Sequence, residues 1–286
     1  MTHANVIALA AFLLVKLTRF RGLRVVISER AASKALSAEP PLLRALLKLL
    51  MRVLYPHASA LLGVSEGVSV DVSELVHLPA GRVQTISNPV NLSGLRAAAA
   101  EPLEHPWLQS DKPPLLVSAG RLVVQKDFAT LLSAFYLLRQ RQQANLVILG
   151  EGPTRVLLEA QVRDMGLADC VFLPGFDANP LTWMARAAVF VLSSRWEGFP
   201  GVLLQAMACG APVVSTDCPH GPREILQDGR WGALVPVGDA VALAAAIAAV
   251  LQANPERPTG LRPPSPRCAD YAPERIWAAY RQVLEV

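Results

Sequence analysis

Residues 195–210 read Arg195-Trp196-Glu197-Gly198-Phe199-Pro200-Gly201-Val202-Leu203-Leu204-Gln205-Ala206-Met207-Ala208-Cys209-Gly210, between apolar runs at 189–193 and 212–215. An apolar strand, a loop broken by glycine and proline, a helix and a second strand thus follow one another directly, which is the signature of a parallel βαβ unit. Outward from this unit the alternation continues. Strands are expected at 115–119, 145–149, 170–173 and 233–235, and helices at 127–141, 154–164, 180–187, 201–209 and 240–252. The pattern predicts a doubly wound parallel sheet, with ligands at the carboxyl ends of its strands.

Within 195–210 an acidic residue, Glu197, sits on the loop after a buried strand, followed by a helix whose first amides point back at that loop. One carboxylate and several N–H donors would face a polyhydroxylated, negatively charged ligand; a capping carboxylate beside a tight turn is the plainer alternative. Upstream, Gly120-Arg121 and Gln125-Lys126-Asp127 place two cations at a strand end and a helix start. Phosphate is held at such a place by side-chain charge and free amides together, although two ordinary surface cations would look the same.

The first 90 residues read as part of a second unit of the same type. Strands are expected at 24–28 and 60–65, a helix at 41–55, and a connector at 96–100. Two strands make a poor independent core, so an open sheet edge and an uncovered apolar face are expected there. Five prolines in 255–266 read as a linker. The helix at 273–284 then carries an apolar stripe of Ile276, Trp277, Tyr280 and Leu284 that has to dock on something.

A 52% hydrophobic, 17% charged chain is globular, well away from the signature of disorder. The four cysteines have neither CxxC pairing nor histidine at metal-ligand spacing, so no zinc site or disulfide framework is expected. The apolar start at 6–15 is too short to span a bilayer, which takes about 20 residues, and it lacks signal-peptide features. A cytoplasmic protein is expected. Nine Lys or Arg against Glu29 and Glu39 make residues 1–56 basic. An anionic membrane surface suits that charge; a solvated helix face is the other reading. Nucleic acid is not expected, since no aromatic-interleaved basic stretch accompanies it.

Taken in order, GRLxxxKD, LGEGP, VFLPGF, SSRWEGFP, LLQAMACGAPVVSTDCPHGPREIL and GALVPVGD across 115–252 resemble glycosyltransferase family 4, the retaining GT-B glycosyltransferases also called glycosyl transferases group 1. The likeness extends more loosely to 26–30, 64–68 and 86–90. It implies an α/β fold of GT-B type, with a complete C-terminal Rossmann-like sheet and a partial N-terminal one. The domains would be an acceptor-side unit with crossover at 1–95, a linker at 96–114, a donor-binding unit at 115–254, and a linker with a final helix at 255–286. It also implies that the acceptor-side unit is truncated at its N-terminal end.

The resemblance further implies a hexosyl transfer from a nucleotide diphosphate-sugar, a UDP-sugar being the expected donor, to a glycan or lipid-linked acceptor. Arg121 and Lys126 would hold the diphosphate, and Glu197 the hydroxyls of the transferred sugar. Amides around Gly198, Phe199, Pro200, Gly201 and Val202 would complete the cradle. The turn from Leu173 through Gly175 to Phe176 would take the nucleobase, and Gly120 would belong to the donor-binding set. Gly150 and Gly152 would admit close backbone approach, a helix-entry turn being an equal explanation of these two. No Asp-x-Asp occurs in the chain, so no metal and no cofactor is expected, and the cations would neutralise the leaving group themselves. Two departures stand out. The family's second glutamate is here Gln205, expected at the ribose, and only His3 is available near the place of the family's acceptor-side histidine. A fragment that binds the nucleotide-sugar without transferring it, or a module binding membrane or a partner chain, are the competing readings.

Overall fold

The computed structural model describes residues 2–18, 24–31, 36–37, 39–79, 81–109, 111–254 and 261–285, without the side chains of 14–18. Part of the basic cluster (Arg19, Arg21, Lys34, and the Lys16 side chain) and the start of the proline-rich linker, 255–260, lie outside it. Among the described residues, nine short, mostly apolar strands separate into two parallel sheets.

In the first unit, β1 (Val26–Glu29), β2 (Ala60–Gly63) and β3 (Val83–Thr85) form a parallel sheet in that order. Side-chain alternation gives it two faces. Ile27, Leu61 and Val83 point toward α1 (Thr2–Thr18), α2 (Pro41–Leu54) and α3 (Glu66–Val76). Pro41 starts α2 at a position where a missing N–H costs nothing, and Ser65 caps α3 by accepting from the Val68 amide. Glu29 is buried, and its carboxylate accepts from Thr2, Asn5 and Tyr55, stitching α1 and the end of α2 to β1.

Val26, Ala60, Leu62 and Ile86 point to the opposite face, where Ile276, Ala279, Tyr280 and Val283 cover them. The expectation of an uncovered face is therefore overturned: α11 (Pro273–Glu285), from the far end of the chain, closes it. The expected stripe is corrected as well. Ile276 and Tyr280 face the sheet, but Trp277 and Leu284 are 57% and 60% exposed, because the sheet meets the face one step further round the helix. The two-strand expectation missed β3, which is three residues long and carries Gln84 and Thr85, too polar to read as an apolar run.

The chain crosses on α4 (Leu92–Ala99), where a mere connector was expected, so a boundary drawn at 95/96 falls inside a helix. In the second unit β4 (Leu115–Ala119), β5 (Asn145–Leu149), β6 (Val171–Gly175), β7 (Val189–Leu192), β8 (Val213–Thr216) and β9 (Ala233–Val235) form a parallel sheet ordered β6-β5-β4-β7-β8-β9. Its interior strands are apolar on both faces, as burial between two helix layers demands. One face packs on α5 (Phe128–Arg139), α6 (Arg155–Asp164) and α10 (Ala240–Ala253). The other packs on α7 (Leu181–Arg186), α8 (Gly201–Ala208) and α9 (Pro222–Leu226), in a core continuous with that of the first unit. β6 runs on through Pro174 and Gly175, which an edge strand tolerates. α9, five residues long, was not expected at all.

The return path beside α4 is tied to it: the Val90 amide donates to the Tyr271 carbonyl over 2.8 Å and Arg96 to that of Arg262 over 2.9 Å. All four cysteines are buried and unpaired. Among the described residues, no helix is long and apolar enough to cross a membrane.

Ile276→Ala should lower stability by about 2 kcal/mol, the usual cost of truncating a buried isoleucine at the lower end of its range. Limited proteolysis of that variant should open residues 24–85 well before 115–254. Equal protection of both regions would mean that α11 does not hold the first sheet.

Candidate functional site

At the carboxyl ends of β4, β5 and β7 lies a cavity of about 480 Å³. Its wall brings together Gly120, Arg121, Lys126, Gly150, Phe176, Glu197, Phe199, Pro200, Gly201 and Val202, all expected from the sequence. Two loops that are 70 residues apart in the chain are zipped together to make it. Arg195 N donates to Gln125 O over 2.8 Å, Gln125 Nε2 to Trp196 O over 2.8 Å, and Ser193 Oγ to Lys126 O over 2.8 Å. Asp127 adopts a left-handed φ of 48° at the start of α5, and its buried carboxylate accepts from Arg195 Nε over 2.9 Å and Thr130 Oγ1 over 2.9 Å.

That zipper delivers Lys126 Nζ to Glu197 Oε1 at 2.5 Å, with side chains 15% and 8% exposed. Ser194 Oγ donates to the same oxygen over 2.6 Å, and Ser194 is itself fixed by Thr216 Oγ1 on its carbonyl. Both donors converge on Oε1. Among the described residues nothing donates to Oε2, so that oxygen keeps its full accepting capacity. Arg121 is exposed on the wall and has no ion-pair partner among the described residues.

Glycine is required at Gly150, where φ is 139° and a Cβ would stand 1.9 Å from the Gly120 carbonyl oxygen. The ends of three strands are laced there, Gly120 N to Leu149 O over 2.9 Å and Gly150 N to Gly175 O over 2.7 Å. Opposite, α8 begins after Pro200 without a side-chain cap; the Gly201 amide donates to Phe199 O and the Leu203 amide to Pro200 O, each over 2.9 Å, while among the described residues the Val202 amide keeps no such partner and is open to a ligand. Phe176, 79% exposed, stands at the rim.

Other expected residues lie elsewhere. Gly175 is not on the cavity wall; its carbonyl accepts from the Gly150 amide over 2.7 Å. Gly198 belongs to the junction of the two units: its carbonyl accepts from Ser65 Oγ over 2.7 Å, and a Cβ on it would stand 2.2 Å from the Arg30 carbonyl oxygen. Gln205 is half-buried on the second turn of α8 and is not on the wall. His3 sits on α1 with Nε2 3.7 Å from Glu39. Conversely, Glu151 and Asp177 line the cavity and were missed. Glu151 stands between two glycines of a quoted motif, a signal that was available; its carboxyl is held below the usual range, chiefly by hydrogen bonding to Arg155. Behind the site, burial reinforced by the Glu197 charge pushes the Cys218 thiol up to about 12.

A second cavity, of about 810 Å³, lies between α3 and residues 217–228 of the other unit. Glu224 Oε2 accepts from the Glu66 amide across this junction over 2.8 Å.

Residues 113–253 match the family model described as Glycosyl transferases group 1. The chain is 34% identical over 190 residues to the N-acetylgalactosamine-N,N'-diacetylbacillosaminyl-diphospho-undecaprenol 4-alpha-N-acetylgalactosaminyltransferase of Campylobacter jejuni, covering 66% of this chain and 50% of that protein. To the lipopolysaccharide 1,6-galactosyltransferase of Salmonella typhimurium it is 29% identical over 185 residues, covering 62% and 48%. The chain spans about half the length of these curated relatives. Among solved structures, Anabaena HepE in complex with UDP and glucose superposes with a TM-score of 0.79 at 20% identity, over all of this chain and 76% of that one. The apo form of the lipopolysaccharide outer core galactosyltransferase WaaB gives 0.73 at 19% identity, over 98% and 73%. With parallel sheets in both units, the fold is of the GT-B type.

Removing Lys126 leaves a buried carboxylate uncompensated, so Lys126→Met should cost about 3 kcal/mol of stability. Adding Glu197→Gln to it should recover part of that loss. Urea denaturation of the two single variants and the double variant checks this, and strictly additive losses would mean that the pair is not coupled.

Proposed function

We propose that the chain is a retaining, metal-independent glycosyltransferase that moves a sugar from a nucleotide diphosphate-sugar, a UDP-sugar first, to a glycan or lipid-linked acceptor in the cytoplasm. The observation that carries this reading is the Lys126–Glu197 pair on the cavity wall, with Arg121 beside it and the uncapped start of α8 opposite. A diphosphate needs cations and amides; a sugar needs a fixed hydroxyl acceptor, and Glu197 Oε2 is free to be one. The relatives' names, which include an undecaprenol-linked acceptor and lipopolysaccharide, support the acceptor class. HepE bound to UDP and glucose supports the donor.

In this scheme the acceptor hydroxyl attacks the anomeric carbon on the face the leaving group departs from. The bond from that carbon to the phosphate oxygen breaks, and a donor phosphate oxygen takes the hydroxyl proton. Arg121 and Lys126 stabilise the charge growing on the diphosphate, which a dry, preorganised site makes effective. Lys126 is paired with Glu197, so the donor's phosphate and sugar hydroxyls would take over the two halves of that pair. Gln205, off the cavity wall on the second turn of α8, would accept one hydrogen bond and donate another to a ribose that extends past Val202, where a glutamate accepts two.

Because the chain spans about half of its relatives, the competing reading is a fragment that binds the nucleotide-sugar and transfers nothing. Titration with UDP, GDP and ADP beside a labelled-donor transfer assay separates the two. Arg121→Ala should weaken the preferred nucleotide about tenfold or more, the cost of one charge-assisted bond. Gln205→Glu should tighten it by about 1 kcal/mol or less. EDTA should leave binding and transfer unchanged, and the product should keep the donor's anomeric configuration. Binding without transfer would select the fragment; loss of either activity on chelation would remove the metal-free assignment.

A further inference from the structure

Glu197 is held from behind by the end of β8 and the turn after it. The Glu197 amide donates to the Pro219 carbonyl over 2.6 Å, and the His220 amide donates to the Glu197 carbonyl over 3.0 Å. The side chain is reached from the same stretch, because Thr216 Oγ1 donates to the Ser194 carbonyl over 2.6 Å and Ser194 Oγ to Glu197 Oε1 over 2.6 Å. Gly221, at φ 98°, packs so closely on the loop that a Cβ there would stand 2.6 Å from Pro200 Cδ. Residues 216–221 thus form a back-plate for the loop, and a shift of the His220 main chain is a shift of Glu197.

The His220 side chain is not on the wall of the cavity that holds Glu197. It reaches the other way, into the first unit. A Cβ built on Gly67, in the first turn of α3, would stand 2.4 Å from Nδ1, 2.7 Å from Cγ and 2.9 Å from Cβ of His220, so the ring lies directly on the helix backbone. One turn further along the same helix face, Asp71 Oδ2 is 3.8 Å from His220 Nε2. The other charged groups on this side are Glu66 and Glu74 of α3, Arg223 and Glu224 of α9, Asp217 and Asp228. Of these, Arg223 is paired with Asp217 and Asp228, and Glu224 accepts from the Glu66 amide. His220 also lines the cavity of about 810 Å³, which gives the ring room to turn once Asp71 stops holding it.

We infer that His220 is a positioning residue for Glu197: its ring, seated on Gly67 and Asp71, carries the apposition of the two units to the carboxylate that would hold the transferred sugar. The inference rests on the proposed transfer reading and gives its site a division of labour. Lys126 is brought to the wall by the zipper within the second unit, and Arg121 stands on the same unit. Diphosphate binding is therefore independent of the junction. Sugar binding is not, since displacement of a positioned group by about 1 Å is enough to be felt strongly. A chain whose first unit is wrongly seated keeps the nucleotide and loses its hold on the sugar.

The test is calorimetric titration of the full chain with UDP and with UDP-glucose, UDP-galactose, UDP-N-acetylglucosamine and UDP-N-acetylgalactosamine. The quantity read is the ratio of the affinity for the best-bound UDP-sugar to that for UDP. His220→Ala and Gly67→Ala should each lower this ratio about tenfold, the order of one charge-assisted hydrogen bond, with UDP affinity unchanged. Asp71→Asn should lower it in the same direction, and as the mildest change it serves where His220→Ala melts early. Glu197→Gln should lower the ratio too, and Glu197→Gln/His220→Ala should be no worse than Glu197→Gln alone, because one residue acts through the other. Equal losses of UDP and UDP-sugar affinity would mean a merely structural role, and additive losses in the double variant would mean that His220 does not act through Glu197. Either result overturns the inference, as does a wild-type ratio in all three junction variants. A wild-type chain that binds UDP but none of the four UDP-sugars would remove the transfer reading itself, and this inference with it.

Discussion

The candidate site depends on one constraint: a lysine and a glutamate 71 positions apart must meet inside a wall that excludes most water. A buried pair of this kind is a weak source of net stability, since removing both charges from water offsets much of their attraction. Its value is positional. The backbone zipper between 125–127 and 193–196, the left-handed turn at Asp127 and the Ser194 hydroxyl all serve to bring Nζ and Oε1 together. None of these features would be needed to cap a strand.

The second unit was legible in the sequence because strands buried on both faces read as continuous apolar runs between Gly- and Pro-marked turns, and β4, β5 and β9 lie where those runs do. The first unit was less legible. β3 is short and polar, and the cover of its sheet comes from α11 some 190 positions downstream of Ile86. No local pattern announces such a partner. The pair 276/280 belongs equally to the stripe expected and to the one observed; only the position of Ala60, Leu62 and Ile86 decides that Ala279 and Val283, rather than Trp277 and Leu284, turn inward.

The same limit applies to the site. Motif residues at strand ends reached the wall because a parallel sheet gathers the carboxyl ends of its strands on one side. Ser194 and Asp177 owe their places to the register between loops, which spacing along the chain does not encode. Gly198 shows a converse case. Its motif is a ligand motif, yet the constraint on it is contact with Arg30 and Ser65 of the other unit. Site and junction are therefore built from one loop, and a change at the junction is felt at Glu197, the adjacent residue.

Closure of the first sheet by α11 also sets an order of assembly. During synthesis β1, β2 and β3 emerge early, with α1, α2 and α3 available to cover one face, but the other face stays bare until residues 276–283 have been made. The whole second unit is translated in that interval. Its contacts are mostly between neighbouring βα units, so it can fold while the earlier sheet waits, and the sheet completes only through a contact of very high sequence separation. A ribosome-bound chain of this sequence thus passes through a stage in which the later-made half is finished and the earlier-made half still presents Val26, Ala60, Leu62 and Ile86 to its surroundings. That is the stage at which a holding chaperone would find its substrate.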